Sequence, residues 1–241
     1  MSKKKTIRFA SRMDQLPPYL FGMINSMKME KRRKGDDVID LGMGNPVDPT
    51  PETVIDKLIE VAKDPKTHRY PDSSGMKNLK KEISKYYKRH YGIDIKPEKE
   101  TYFTIGSKEG ILIMVFFSAI QIAGIIALRD CDDTIPGQVA LYQARRDTLC
   151  NGLERIGWQV DKPGAGMFAW VKIPEPYAKM GSMQFAIEMM NRANVAVAPG
   201  VGFSEEGEGY VRLALVENEE RLRQAVRQMK RALQEIDQDT N

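Results

Sequence analysis

From residue 111 to residue 128 the chain carries no charge at all: ILIMVFFSAIQIAGIIAL. A run of this length reaches the lower limit for a membrane-spanning helix, about 17–25 apolar residues. Ser118, Gln121 and Gly124 interrupt it, it stands alone, and it lacks aromatic anchors for the membrane interface. It therefore reads as a helix buried in protein, with a membrane-inserted helix as the competing reading. Either way, the run needs a partner surface, because an exposed apolar helix face is an association site.

The rest of the composition is that of a folded globular protein. The chain has 241 residues, 41% hydrophobic and 29% charged, enough for one large domain or two modest ones. A net charge of +4 does not argue for nucleic-acid binding. The basic runs at 3–5 and 31–34 read as a solvated tail and a helix end favoured by its dipole. Cys131 and Cys150 lack metal or redox spacing, and His68 and His90 sit in unrelated contexts. No metal site or disulfide framework is arguable, and free thiols fit a reducing cytoplasm, which is the expected location. The basic N-terminus has no apolar core, so it does not read as a secretory signal.

Along the chain, a helix is expected over 14–34, ending at Gly35, followed by an extended segment at 38–42 and a turn-rich loop at 43–51. Thr50 is expected to cap the next helix, which runs to Ala62. A helix over 74–91 shows apolar residues every three or four positions, basic residues in its last turn and Gly92 as its stop. A strand over 100–105 follows. From Pro136 the expected order is a helix to Ile156, paired strands at 158–162 and 167–173, and a helix at 182–193. Strands at 194–199 and 210–216 come next, and then a final helix capped by Asn218. That C-terminal part makes an α/β layer able to bury its own core.

Two places could hold an anion. The segment TIGSKEG at 104–110 runs from strand through a Gly-Ser turn into a helix, which offers free backbone N–H groups and a positive dipole end to a phosphate. Without further context it is an ordinary strand-to-helix turn. In YVRLALV at 210–216, strand alternation puts Arg212 on the face opposite Val211 and Leu213. An arginine in an apolar strand needs an anionic partner or an open edge; the partner is either a ligand carboxylate or a structural ion pair.

Taken in order, these segments resemble the fold-type I, class I/II aminotransferases that use pyridoxal phosphate. The resemblance is to the bacterial branch with LL-diaminopimelate and alanine aminotransferases. It is carried by LPPYLF at 16–21, DLGMGNPVDPTP at 40–51, YPDSSGMKNLK at 70–80 and the turn Gly106-Ser107-Lys108. KPGAGMFAW at 162–170, APGVGF at 198–203 and YVRLALVEN at 210–218 complete it. It covers nearly all of 8–110 and 121–236. It implies that Gly106, Ser107 and Lys108 cradle the cofactor phosphate, and that Tyr70 reaches a partner's cofactor across a dimer. It also implies that Gly44 brings bare backbone to the substrate carboxylate, which Arg212 grips bidentately.

The same resemblance implies a deletion. Between Gly110 and Gln121 the family would carry most of its large-domain sheet. The ring-stacking aromatic, the asparagine and aspartate that hold the ring, the Schiff-base lysine and a phosphate-binding arginine belong there, and none is found. Lys108 belongs to the phosphate cradle and Lys172 has no motif behind it, so no substitute lysine is assigned. The expected fold is α/β: an aminotransferase small domain (129–241), a truncated remnant of the large domain (36–128, with a seam near 111–120), and an N-terminal arm and helix (1–35). At the seam two helices are expected to be spliced into one long helix lacking its sheet.

The function so implied is transfer of an amino group between an amino acid and a 2-oxo acid, by a chain inactive alone, with no catalytic residue assigned and weakened cofactor binding. The alternative is a non-catalytic dimerisation module. As a partner, the resemblance implies a second copy or an intact relative, with no nucleic acid and no membrane.

Overall fold

A computed structural model describes residues 20–68, 75–101 and 118–240. In chain order the elements are α1 (Leu20–Arg33), β1 (Ile39–Asp40), α2 (Glu52–Ala62), α3 (Lys77–Tyr91), α4 (Pro97–Glu100), α5 (Ser118–Asp130) and α6 (Ile135–Arg155). Then come β2 (Phe168–Lys172), α7 (Glu175–Ala178), α8 (Ser182–Ala193), β3 (Val195–Ala196), β4 (Ala198–Pro199), β5 (Tyr210–Ala214) and α9 (Glu219–Thr240). The chain divides into two units at 47/48 and 141/142, not at the expected 35/36 and 128/129. The reason is β1, which pairs in parallel with β3, Ile39 opposite Val195. That pairing ties the N-terminal helix and strand into the same unit as the C-terminal region.

In this larger unit the second sheet has the order β2-β5-β4, all antiparallel. Ala169, Val171, Val211 and Leu213 point from it into a core shared with Leu149, Leu153, Phe185, Met189, Leu222 and Met229. The expected hairpin between 158–162 and 167–173 does not form. β2 instead pairs with β5 along its whole length, and Trp158 enters the core, its indole N–H donating to the Lys172 carbonyl at 2.8 Å. What sends Trp158 there is the end of α6. Gly157 takes φ 85°, its N–H bonds the Glu154 carbonyl, and the Trp158 N–H bonds the Leu153 carbonyl. This reciprocal helix stop needs a left-handed residue after the cap, which glycine adopts without steric cost. The segment at 194–199, expected as one strand, splits into β3 and β4 in different sheets.

Other helix ends follow local rules. Asn218 accepts the Arg221 N–H at 2.9 Å and caps α9 as expected. Asn194, at φ 53°, ends α8. Its carbonyl accepts the Ile39 N–H and its side chain accepts from Lys31, so the strained residue also sets the register of β1 on β3.

Arg221 grips Asp37 with both terminal nitrogens, at 2.6 and 2.7 Å, and Gln224 adds a third bond at 3.1 Å. Hydrogen bonds from Arg221 and then Gln224 hold the Asp37 carboxyl down at about 2. A depressed pKa contributes stability above the unfolded value, about 3.9, that is lost as pH falls through the folded one. The contribution is small because the carboxylate is 62% exposed. Asp37→Asn is therefore expected to flatten the acid limb of stability between about pH 4 and pH 2. Urea unfolding of both proteins across that window checks it, and identical acid limbs would contradict it.

The smaller unit is all helix among its described residues. α5 packs on α2 and α3, with Ala123 buried and Gly124 against Leu79. α3 stops at Gly92 with φ 69°, as expected. Two local expectations change. Thr50 does not cap α2, whose cap position is Pro51 with no side-chain bond. Glu100 closes the short helix α4 rather than opening a strand, with Thr101 as its cap, and residues 102–105 of that expected strand lie outside the described residues. The first part of the expected long seam helix also lies outside them. No described helix is long and apolar enough to cross a membrane.

Candidate functional site

The outward face of the three-stranded sheet carries Phe168, Trp170 and Lys172 from β2 opposite Ala214, Arg212 and Tyr210 from β5. Arg212 sits on the central strand, between Trp170 and Ala198. Its guanidinium lies 4.1 Å from the centre of the Phe168 ring and 4.6 Å from that of Phe203. Such contacts attract a cation to the ring face and fix the guanidinium plane. One terminal nitrogen donates to the Gly42 carbonyl at 3.0 Å. The buried Nε has no hydrogen-bond partner, and among the described residues no carboxylate pairs with Arg212. Burial pushes its pKa down, but an arginine stays charged in proteins. A half-buried cation facing only aromatics and one carbonyl is costly unless an anion completes it. Among the described residues, the structural ion pair left open by the sequence is therefore not found.

The aromatic wall is itself braced. Phe203 meets Phe21 edge-on at 5.0 Å and Trp170 at 5.5 Å, and Trp170 stacks on Tyr210 at 5.8 Å. Below it, the loop after β1 is pinned by Asp40, whose Oδ1 accepts from the Gly42 and Met43 N–H groups, each at 3.1 Å. Asp40 Oδ2 accepts from the buried Lys28 ammonium at 2.7 Å. The loop so held delivers the Gly42 carbonyl to Arg212. Two residues on, a Cβ on Gly44 would lie 2.3 Å from Phe168 Cζ, so glycine is required for the chain to pass over that ring.

Thus Gly44 and Arg212, far apart in sequence, meet on the same phenylalanine. Gly44's bare backbone is turned to the ring, a reason for glycine that the sequence did not suggest. Tyr70, Gly106, Ser107 and Lys108 lie outside the described residues. Sequence reading missed Phe168, Phe203 and the Lys28–Asp40 brace. Alternation alone puts Phe168 and Trp170 on one face, but stacking on Arg212 follows only from the β2–β5 pairing. Among the described residues no acidic, histidine or cysteine cluster could hold a metal ion, and both cysteines are free and buried.

The sequence profile of the class I and II aminotransferases matches residues 36–127 and again 114–229. The chain belongs to this family. Glutamate-pyruvate aminotransferase AlaC of Escherichia coli is 27% identical over 391 residues, covering 95% of this chain and 95% of that protein. LL-diaminopimelate aminotransferase of Halothermothrix orenii is 25% identical over 382 residues, covering 92% and 97%. An alignment of 391 residues exceeds this chain's 241, so more than a third of its positions face no residue here. Among solved structures, apo-BacF from Bacillus subtilis superposes with a TM-score of 0.84 at 18% identity, covering 93% of this chain and 98% of that one. Aspartate aminotransferase from Thermus thermophilus with maleate gives 0.81 at 15%, covering 94% and 100%. The fold is therefore the α/β fold of the aminotransferases, in truncated form.

Aminotransferases of this family use pyridoxal phosphate, which supplies an electron sink at the substrate carbon when held by a lysine amine and a ring-binding carboxylate. Among the described residues near Arg212, none fits the cofactor end of such a site. Of the lysines near the Arg212 face, Lys28 is committed to Asp40, and Lys172 is solvent-exposed and paired with Glu175 at 3.3 Å. Asp40 is itself saturated by Lys28 and two loop N–H groups.

Proposed function

We propose that this chain binds the carboxylate of an amino acid or 2-oxo acid at Arg212 and does not carry out transamination alone. The observation that carries the first half is a half-buried guanidinium with an unpartnered Nε and no described carboxylate beside it. The second half is supported by the alignment, in which more than a third of the relative's positions face no residue. It is supported too by the family profile, which matches in two pieces that overlap at 114–127. That overlap agrees with a seam in the uncharged run, where the Schiff-base lysine segment would otherwise lie. Pyridoxal phosphate binding is weakened accordingly, with Gly106, Ser107, Lys108 and Tyr70 as its remaining contacts. Relatives named for glutamate, pyruvate and LL-diaminopimelate favour an amino-acid ligand. Buried free cysteines favour the cytoplasm.

A second reading, a dimerisation module acting as a homodimer or beside an intact relative, is favoured by α2. There Ile55, Leu58 and Ile59 stand 39%, 39% and 49% exposed at helical spacing. Titration with a 2-oxo acid, followed by the fluorescence of Trp170 on the Arg212 face, tests the primary reading. Saturable quenching supports it, and a flat response at millimolar ligand would sink it.

A further inference from the structure

Away from Arg212, the C-terminal half of α6 and the middle of α9 enclose a cleft of about 550 Å³. Its floor is closed where Gly152 meets Val226: a Cβ on the glycine would stand 3.0 Å from a valine methyl. Four cations line it, Arg155 from the last turn of α6 and Arg223, Arg227 and Lys230 from α9. The three on α9 recur at spacings of four and three, so they share one face of the helix.

The charges do not cancel. Glu219 is taken by Arg223 at 2.8 Å, and Asp147 by Arg146 at 2.9 Å and Lys162 at 3.5 Å. That pairing, led by the hydrogen bond from Arg146, holds the Asp147 carboxyl below its ordinary range. Arg155, Arg227 and Lys230 are left with no hydrogen bond or ion pair among the described residues. Like charges on one helix face repel, so three free cations around one concave surface are a stored attraction for an anion. A second cavity of about 250 Å³ shares Ile156 and Lys230 with the first and is lined by Pro174, Pro176, Tyr177, Gln234 and Asp237, whose carboxylate accepts from the Tyr177 hydroxyl at 2.8 Å. Lys230 thus stands where the two cavities meet.

We propose that this groove is a binding site for an organic di- or triphosphate. Its phosphates would lie on Arg155, Arg227 and Lys230, and its uncharged body in the proline- and tyrosine-walled cavity. Guanidinium forks suit phosphate oxygens, and a lysine adds a point charge. The site is separate from the carboxylate site, uses none of its residues, and stands or falls independently of it.

The experiment is calorimetric titration of the full chain with inorganic tripolyphosphate and with adenosine triphosphate, at low salt and again at about 0.15 M salt, where screening reaches about 8 Å. One saturable site is expected, weaker in salt, with the nucleotide binding more tightly than tripolyphosphate. Arg227→Ala and Lys230→Ala should each weaken both by about tenfold, the loss of one charge-assisted contact. Lys63→Ala, in the other unit, should leave both unchanged. All of these side chains are exposed, so unchanged circular dichroism is expected and makes the comparison sound. Absence of saturable binding, or equal binding by Arg227→Ala, Lys230→Ala and Lys63→Ala, would show solvated helix faces and overturn the proposal. A nucleotide no tighter than tripolyphosphate would overturn the role given to the second cavity.

Discussion

Arg212→Ala is expected to abolish saturable 2-oxo acid binding while leaving the fold intact or slightly more stable. In most proteins these two outcomes conflict, because removing a buried charged residue breaks a pair and strands its partner. Here no described partner would be stranded. Among the described residues Arg212 gives one hydrogen bond, to the Gly42 carbonyl, and otherwise lies against Phe168 and Phe203. Its burial with no anion among the described residues costs the fold stability, a cost that the proposed carboxylate role accounts for. Arg212→Lys separates geometry from charge. A lysine keeps the cation but cannot present two parallel N–H donors to a carboxylate, so affinity should fall by about tenfold or more. Arg212→Leu, which fills the same aromatic slot without desolvating a charge, should melt at or above the temperature of the parent. Trp170 fluorescence gives the binding and thermal unfolding gives the stability. Full-affinity binding by Arg212→Ala, or a large fall in melting temperature with Arg212→Leu, would show that the arginine is structural.

Gly200→Ala is expected to be the most damaging small substitution in the larger unit. A Cβ at Gly200 would lie within 1.9 Å of the Gly207 carbonyl oxygen and 2.7 Å of that of Tyr210. Gly207 meets the same crossing from the other side, its Cβ falling 2.2 Å from the Gly200 oxygen. These neighbours are backbone atoms, so no rotamer change can relieve the clash. The loop between β4 and β5 would have to open. That would disturb the pairing of Pro199 with Val211 and the seat of Phe203 beside Arg212. A loss of about 3 kcal/mol or more is expected, at the upper end of single substitutions. Denaturant unfolding would show it as a lower midpoint, together with weakened 2-oxo acid binding. A shift below about 1 kcal/mol would mean the crossing has room to relax.

What could be read from the sequence was what neighbours in the chain decide. Gly92 stops α3, Asn218 caps α9, and alternation alone turns Arg212 away from Val211 and Leu213. Each depends on residues within one or two turns. What escaped was set by partners far along the chain. β1 and β3 are two residues each, too short to show a period, and their pairing carries α1 into the larger unit. The strand assigned to 158–162 failed because the helix stop at Gly157 sends Trp158 into the core, where its ring packs edge-on against Phe185 at 5.5 Å. Arg212 itself was legible, but the socket around it was not. Phe168 and Phe203 approach it only because β2 and β4 flank β5.

The claim most worth testing is that this member of the aminotransferase family keeps a carboxylate anchor without covalent cofactor chemistry. The direct measurement is to incubate the full chain with pyridoxal phosphate, reduce with borohydride and map modified lysines by mass spectrometry, assaying oxo-acid formation from glutamate or alanine in parallel. The expected result is sparse label scattered over exposed lysines and no oxo acid above the protein-free control. One lysine labelled to stoichiometry, with turnover, would contradict it and show that a substitute amine completes the site.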